Sequence, residues 1–189
     1  MGGCFCVQEK VGGVLERIVM KFGGTSVANE ERIERAASLI VDEVRRGKQV
    51  AVVVSAMGKT TDDLLSLAKS INANAERREL DMLISTGEQV TASLLAMAIS
   101  AKGIHANSFT GWQAGLQTES VHGNARIENV EPTRVLKALE SGGVAVITGF
   151  QGIDHEGELT TLGRGGSDKS AVAVAFGLKA CCCDVYTDV

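Results

Sequence analysis

Ile18-Val19-Met20-Lys21-Phe22-Gly23-Gly24-Thr25-Ser26 runs from an apolar segment through a glycine pair into a helical pattern. An apolar run of that length predicts a strand over Arg17 to Phe22, with Lys21 near its end. Glycines at 23 and 24 let the backbone approach an oxyanion closely, because no Cβ stands in the way. A helix beginning just beyond would aim free N–H groups and the positive end of its dipole at the same point. The stretch therefore reads as an anion cradle at the first strand-to-helix junction, with Lys21 supplying a full charge. An ordinary tight turn with a surface lysine fits the same residues, and both readings stand on this stretch alone.

Outward from it the chain alternates strand and helix. From Asn29 to Arg46 the residues Ile33, Ala36, Ala37, Ile40, Val41 and Val44 recur at helical spacing. Asn29 is placed to cap that helix, Glu30 and Glu31 suit its start, and Arg45, Arg46 and Gly47 suit its end. Gln49 to Ser55 is a β-branched run of the kind buried on both faces of a parallel sheet. The three together form a βαβ unit with an expected right-handed crossover. Helices are predicted over Thr61–Asn72 and across 75–102, the latter broken at Ser85-Thr86-Gly87-Glu88, where Ser85 or Thr86 would cap a second helix. That second helix, Gln89–Ser100, is apolar on most faces and is expected to be well buried. Further strands are expected at Ile104–Phe109, Ala125–Val130, Val144–Thr148 and Cys181–Thr187, and helices from Pro132 to Glu140 and from Lys169 to Leu178. Residues 110–124 read as loop or hairpin, and Ile153 to Leu159 as a hairpin tip with solvated acids. The pattern is α/β, with a mostly parallel sheet sandwiched between helices.

Composition narrows the function. A chain of 189 residues with 44% hydrophobic residues is about one domain. A net charge of −4 argues against a general nucleic-acid binder, and no stretch approaches the roughly 18 consecutive apolar residues of a membrane span. Cys4, Cys6 and Cys181-Cys182-Cys183 lack the paired spacing of a zinc site. Free thiols in a reducing cytoplasm are expected, with the cysteine triple as small buried residues on a central strand. Residues 1–16 read as a disordered extension: they lack the basic start and apolar core of a signal peptide, and Cys6 stands where myristoylation prefers Ser or Thr.

Ligands of open parallel sheets bind beyond the carboxyl ends of the strands. The stretches from Lys21, Ser55, Gly163 and Thr187 are all expected at such ends, around one crevice. Gly58-Lys59-Thr60 matches the end of a P-loop, but Val53 stands where that motif needs its first glycine. No complete GxGxxG follows the first strand either, so both common nucleotide motifs fail.

Four motifs taken together carry a resemblance. KFGGTSV (Lys21–Val27), VSAMGKTTD (Val54–Asp62), STGEQV (Ser85–Val90) and TTLGRGGSDKSA (Thr160–Ala171) resemble aspartate kinase within the amino-acid kinase family, in order and spacing, from about Ile18 to Val189. The resemblance implies the amino-acid kinase (carbamate kinase-like) fold. It also implies transfer of the ATP γ-phosphoryl group to the side-chain carboxylate of L-aspartate, with Mg2+ carried largely by the nucleotide and no protein metal ligand. By the same resemblance Lys21 and the Gly23 and Gly24 amides would hold that phosphoryl group, with Phe22, Ser55 and Ser167 also on the phosphate side and Thr187 and Asp188 opening the nucleotide edge. Arg164, with Gly165 and Gly166, would clamp an aspartate carboxylate, Glu88 would face the ammonium group, and Thr61 would offer a hydroxyl. Asp168 would hold Lys21.

Duller readings exist for several of these. Glu88 could be a dipole partner, Asp168 or Ser167 a helix cap, and Arg164 half of a surface ion pair. Chains of this family continue past the matching Thr-Asp pair into an adenine-cradling segment and then paired ACT domains. Residues 17–189 are therefore expected to be a kinase domain incomplete at its C-terminus, with an exposed sheet edge and possible self-association. A fragment acting at most as an aspartate- or phosphate-binding module is the alternative to an active kinase.

Overall fold

The structure, a computed structural model, describes residues 16–187. The extension read over residues 1–16, apart from Glu16, and the candidate Asp188 lie outside the described residues. In chain order the elements are β1 (Arg17–Phe22), a 3-10 turn (Gly24–Val27), α1 (Glu30–Arg45), β2 (Gln49–Val54), α2 (Thr60–Ile71), α3 (Arg77–Ile84) and α4 (Thr86–Ala101). They continue with β3 (Ala106–Phe109), β4 (Leu116–Thr118), β5 (Ile127–Val130), α5 (Thr133–Glu140), β6 (Val144–Thr148), β7 (Gln151–Ile153), β8 (Leu159–Thr161), α6 (Gly166–Gly177) and β9 (Cys182–Tyr186).

The β-branched runs make the centre of the molecule, as their composition requires. A five-stranded sheet has the order β3-β6-β2-β1-β9, and every pair in it is parallel. Successive side chains of a strand face opposite ways, so β1 splits its residues between two cores. Ile18, Met20 and Phe22 join α1 and α4 on one face, where Ile33, Ile40, Leu95 and Ile99 pack. Val19 joins α5 and α6 on the other, with Val135, Leu139, Val174 and Leu178. Helices on both faces of a parallel sheet are thus the observed arrangement. Asn29 caps α1, its Oδ1 accepting from the Arg32 amide at 3.0 Å, a contact worth about 1 kcal/mol.

Several expectations give way. A second sheet of four short strands, in the order β5-β4-β7-β8, joins the expected strand at 127–130 and the expected hairpin around 153–159 to β4, which arises within the stretch 110–124 read as loop or hairpin; β4–β5 and β7–β8 are antiparallel. The cysteine triple lies on an edge strand, because β9 has only β1 beside it among the described residues; Cys182 is buried and Cys181 and Cys183 are half-buried. The break at Ser85 barely interrupts the chain: Ser85 is itself right-handed helical (φ −63°, ψ −18°), and α4 starts at Thr86 rather than Gln89. Neither hydroxyl caps α4, since Ser85 Oγ and Thr86 Oγ1 donate backwards to the Met82 and Leu83 carbonyls. Nor is α4 buried all round. Ala92, Leu95, Ala96 and Ile99 face the core, while Val90, Leu94 and Met97 form an exposed stripe. Pro132 precedes α5 by one position, as its N-cap residue.

Candidate functional site

Lys21 is the penultimate residue of β1 and shares the α6-facing side of the strand with Val19. It is 5% exposed, and its Nζ lies 2.7 Å from Asp168 Oδ1. An ammonium group so deeply placed requires a partner. Asp168 provides it from the first turn of α6, where a carboxylate is also favoured by the helix dipole. The Asp168 side chain remains 56% exposed, so the pair sits at the rim of the sheet. A Cβ added at Gly23 would stand 3.6 Å from Lys21 Nζ. Glycine there leaves the space beside the ammonium open, and these residues fit an anion such as a phosphoryl group.

The glycine stretch is held differently from expectation. The Gly23 amide donates to the Tyr186 carbonyl at 3.2 Å, and Ser26 Oγ donates to the same oxygen at 3.2 Å. That amide is therefore turned to β9 and not to the cradle. A 3-10 turn begins at Gly24, and α1, starting only at Glu30, comes too late to aim its dipole at the glycines. Gly24 is needed for packing: a Cβ would meet the Ala56 carbonyl oxygen at 2.7 Å, and its own carbonyl accepts from the Gly58 amide at 3.0 Å. The Phe22 side chain belongs to the core, stacked on Tyr186 with ring centroids 4.7 Å apart.

The exit of β2 forms the next wall. The Ser55 amide donates to the Phe22 carbonyl at 3.1 Å, tying the two strand ends together. Ser55 is half-buried, as is Thr61 in the first turn of α2. The Ala56 amide donates to Glu88 Oε1 at 3.1 Å. Glu88 is 3% exposed, and its Oε2 is buried without a partner. Burial drives its carboxyl up to about 7, against the smaller opposing pull of the backbone amides. Gly87 makes this approach possible, since a Cβ there would stand 2.9 Å from that of Ala56.

The third wall is the turn Gly163-Arg164-Gly165-Gly166-Ser167-Asp168. It does not leave the parallel sheet as expected; it follows β8 of the smaller sheet and opens α6. Gly163 (φ +69°) and Gly165 (φ +67°) adopt the left-handed conformation that raises Arg164 between them. Arg164 is exposed and has no ion-pair or hydrogen-bond partner among the described residues, whereas Gly166 and Ser167 are buried. Thr187 is exposed at the end of β9. Lys21, Gly23 and Asp168 are thus brought together directly, and Ser55 is linked to Glu88 through Ala56.

Sequence reasoning missed Gly149-Phe150-Gln151 at the exit of β6. Gly149 lies against Ser167, where a Cβ would meet the serine Cβ at 2.8 Å, and its amide donates to the Val54 carbonyl at 2.9 Å. Phe150 has φ +68°, an unfavourable conformation for a bulky residue. It is held by a 3.0 Å bond from its amide to Ser170 Oγ, and its ring abuts Gly166. Glycines flanking Phe150-Gln151 directly after a buried strand were the available signal.

Among the described residues no group of three His, Cys, Asp or Glu side chains converges as metal ligands. The model of the amino acid kinase family matches residues 16–189. The chain is 58% identical over 172 residues to an aspartokinase of Geobacillus stearothermophilus and 60% identical over 172 residues to one of Bacillus sp. (strain MGA3), covering 91% of this chain in each case. It spans 42% of the length of each of these relatives. The crystal structure of aspartate kinase from Synechocystis superposes with a TM-score of 0.79 at 50% identity, over 91% of this chain and 28% of that one.

Proposed function

The chain belongs to the amino acid kinase family, and on that premise we propose that it is the catalytic part of an aspartate kinase. It would transfer the γ-phosphoryl group of ATP to the side-chain carboxylate of L-aspartate, giving 4-phospho-L-aspartate. In this reading it acts in the cytoplasm, at the first step towards lysine, threonine and methionine. The Lys21–Asp168 pair, 2.7 Å long at the mouth of β1 beside an open glycine, carries the reading.

The acceptor carboxylate is ionised at neutral pH, so no general base is needed. One of its oxygens bonds to the γ-phosphorus while the bond to the β-phosphate oxygen breaks and ADP departs. What this chain must do is align two anions and neutralise charge on the moving group. Lys21 would neutralise it from the sheet rim, held in orientation by Asp168. Arg164 would fork onto an aspartate carboxylate, for which its planar guanidinium is suited. Glu88 Oε2, buried and unpaired, would accept from the ammonium group. Ser55, Thr61 and Ser167 would add hydroxyl contacts, and Thr187 with Asp188 would begin the nucleotide edge. Gly23 serves by leaving space, and Phe22, Gly24, Gly165 and Gly166 by shaping the walls. Mg2+ arriving with the nucleotide would supply further charge neutralisation.

Trapping of the acyl phosphate by hydroxylamine tests the activity. Lys21→Ala is expected to lower turnover at least about 100-fold; unchanged turnover would remove Lys21 from the mechanism. L-Aspartate binding without acyl phosphate would favour the binding-module alternative.

A further inference from the structure

Outside the site already described, one buried ionisable group collects more partners than its helix requires. Asp81, on α3, is 1% exposed. Its Oδ2 accepts from His122 Nδ1 at 3.1 Å, the Gly123 amide at 2.9 Å and the Thr161 amide at 3.0 Å, and its Oδ1 accepts from Thr161 Oγ1 at 2.6 Å. Facing a carboxylate, Nδ1 of His122 is the protonated nitrogen. One carboxylate thereby gathers three separate segments: α3, the loop at residues 122–123 and the end of β8.

The place where β8 ends gives this cluster its consequence. Thr161 is followed by Leu162, Gly163 and then Arg164. The loop on the other side of Asp81 backs onto the same turn, with Asn124 Oδ1 2.6 Å from where a Cβ on Gly163 would stand. Asp81 therefore grips both supports of the turn that carries Arg164. In the opposite direction, Glu88 follows Asp81 by seven residues, about two helical turns, which returns it to the same side of the α3–α4 rod. Between them the Ser85 carbonyl accepts from Gln151 Nε2 at 2.9 Å, fixing the rod to β7. The rod thus has three buried attachments in a row: Asp81 to β8, Ser85 to β7 and Glu88 to the exit of β2.

We infer that Asp81 is a positioning residue for the substrate site: it fixes the Arg164 turn at a set span from Glu88, and that span selects the length of an amino dicarboxylate. The inference rests on the roles proposed above for Arg164 and Glu88. It predicts selectivity as well as affinity, because a loosened turn lets the guanidinium follow a ligand one methylene longer. A carboxylate serving only stability would weaken every ligand in common proportion.

Calorimetric titration of L-aspartate and L-glutamate into the full chain tests this, comparing wild type, Asp81→Asn, Arg164→Lys and the double variant. The asparagine keeps the shape and replaces one acceptor by a donor. We expect a cooperative melt, L-aspartate affinity reduced about tenfold or more, a smaller preference over L-glutamate, and little added loss when Arg164 is already lysine. Trypsin should also cut after Arg164 faster than in wild type. An unchanged ligand preference, losses that simply add in the double variant, or an unchanged cleavage rate at Arg164 would each overturn the inference. If Asp81→Asn does not fold, Thr161→Val, which removes only the 2.6 Å hydroxyl contact, must reproduce the same shifts in smaller measure. Absence of L-aspartate binding by the wild-type chain overturns the proposed function instead, and the cleavage comparison then decides whether Asp81 anchors the turn.

Discussion

Glu88 is the residue whose chemistry most directly links stability to ligand binding. Its carboxyl rises from the ordinary 4.5 to about 7 in the folded chain because burial penalises the charged form. A raised folded pKa means that the folded state holds this proton more tightly than the unfolded state. The associated stability is therefore complete below about 4.5 and is lost as pH climbs through about 7, a change on the order of 3 kcal/mol. Glu88→Gln, a neutral mimic, should flatten that dependence and be the more stable form at pH 8 without ligand, as urea unfolding at pH 5.5 and pH 8 would reveal. Parallel pH dependences in the two proteins would refute the assignment. L-Aspartate affinity of the wild type should rise with pH over the same window, because the ammonium group needs the ionised carboxylate, and the variant should lose it. The sequence marks Glu88 by its place in a helix's first turn, and the pairing of Lys21 with Asp168 by resemblance. It gives no hint that Glu88 Oε2 is orphaned, or that the Gly23 amide turns to a carbonyl contributed by distant Tyr186. Those depend on contacts between residues far apart in the chain.

The best-read elements are those whose own residues determine their burial. β1, β2 and β6 are nearly continuous apolar runs, and α1 carries both its cap and its buried stripe in local sequence. The smaller sheet escaped because β4, β7 and β8 are three residues each, too short for alternation to declare itself. The exposed stripe Val90, Leu94 and Met97 was misjudged for a related reason: composition alone makes α4 look apolar on most faces. The 3-10 turn after β1 is the element on which the cradle hangs, and its tightest point is testable. Gly24→Ala would press a Cβ to 2.7 Å from the Ala56 carbonyl, which the backbone can relieve only by moving. We expect a loss of about 1–3 kcal/mol of stability, with turnover reduced beyond what unfolding explains. A variant with wild-type stability and turnover would show that the two loops do not need this close approach.

In the molecule as a whole, a covered parallel sheet carries a smaller sheet at its side, and α6 connects them by opening from the β8 turn and packing over β1. Among the described residues β9 is an open edge, with Val185 exposed on it and Val172 and Phe176 exposed on α6, the phenylalanine at 84%. Edges of this kind favour self-pairing unless a charge or a cover intervenes. Sedimentation velocity should show concentration-dependent association, reduced by Phe176→Asp; a strictly monomeric wild-type chain would refute this. The stack of Tyr186 on Phe22 has a practical consequence as well. The chain has one tyrosine and one tryptophan, and the two stand on different sheets' ground: Tyr186 where β9 meets the glycine cradle, Trp112 in the approach to β4. Each half of the molecule thus carries its own intrinsic chromophore. Red-edge excitation isolates Trp112 and would follow rearrangement of the smaller sheet, and an anion arriving at the cradle would be read from the Tyr186 contribution left once that signal is subtracted, without a label.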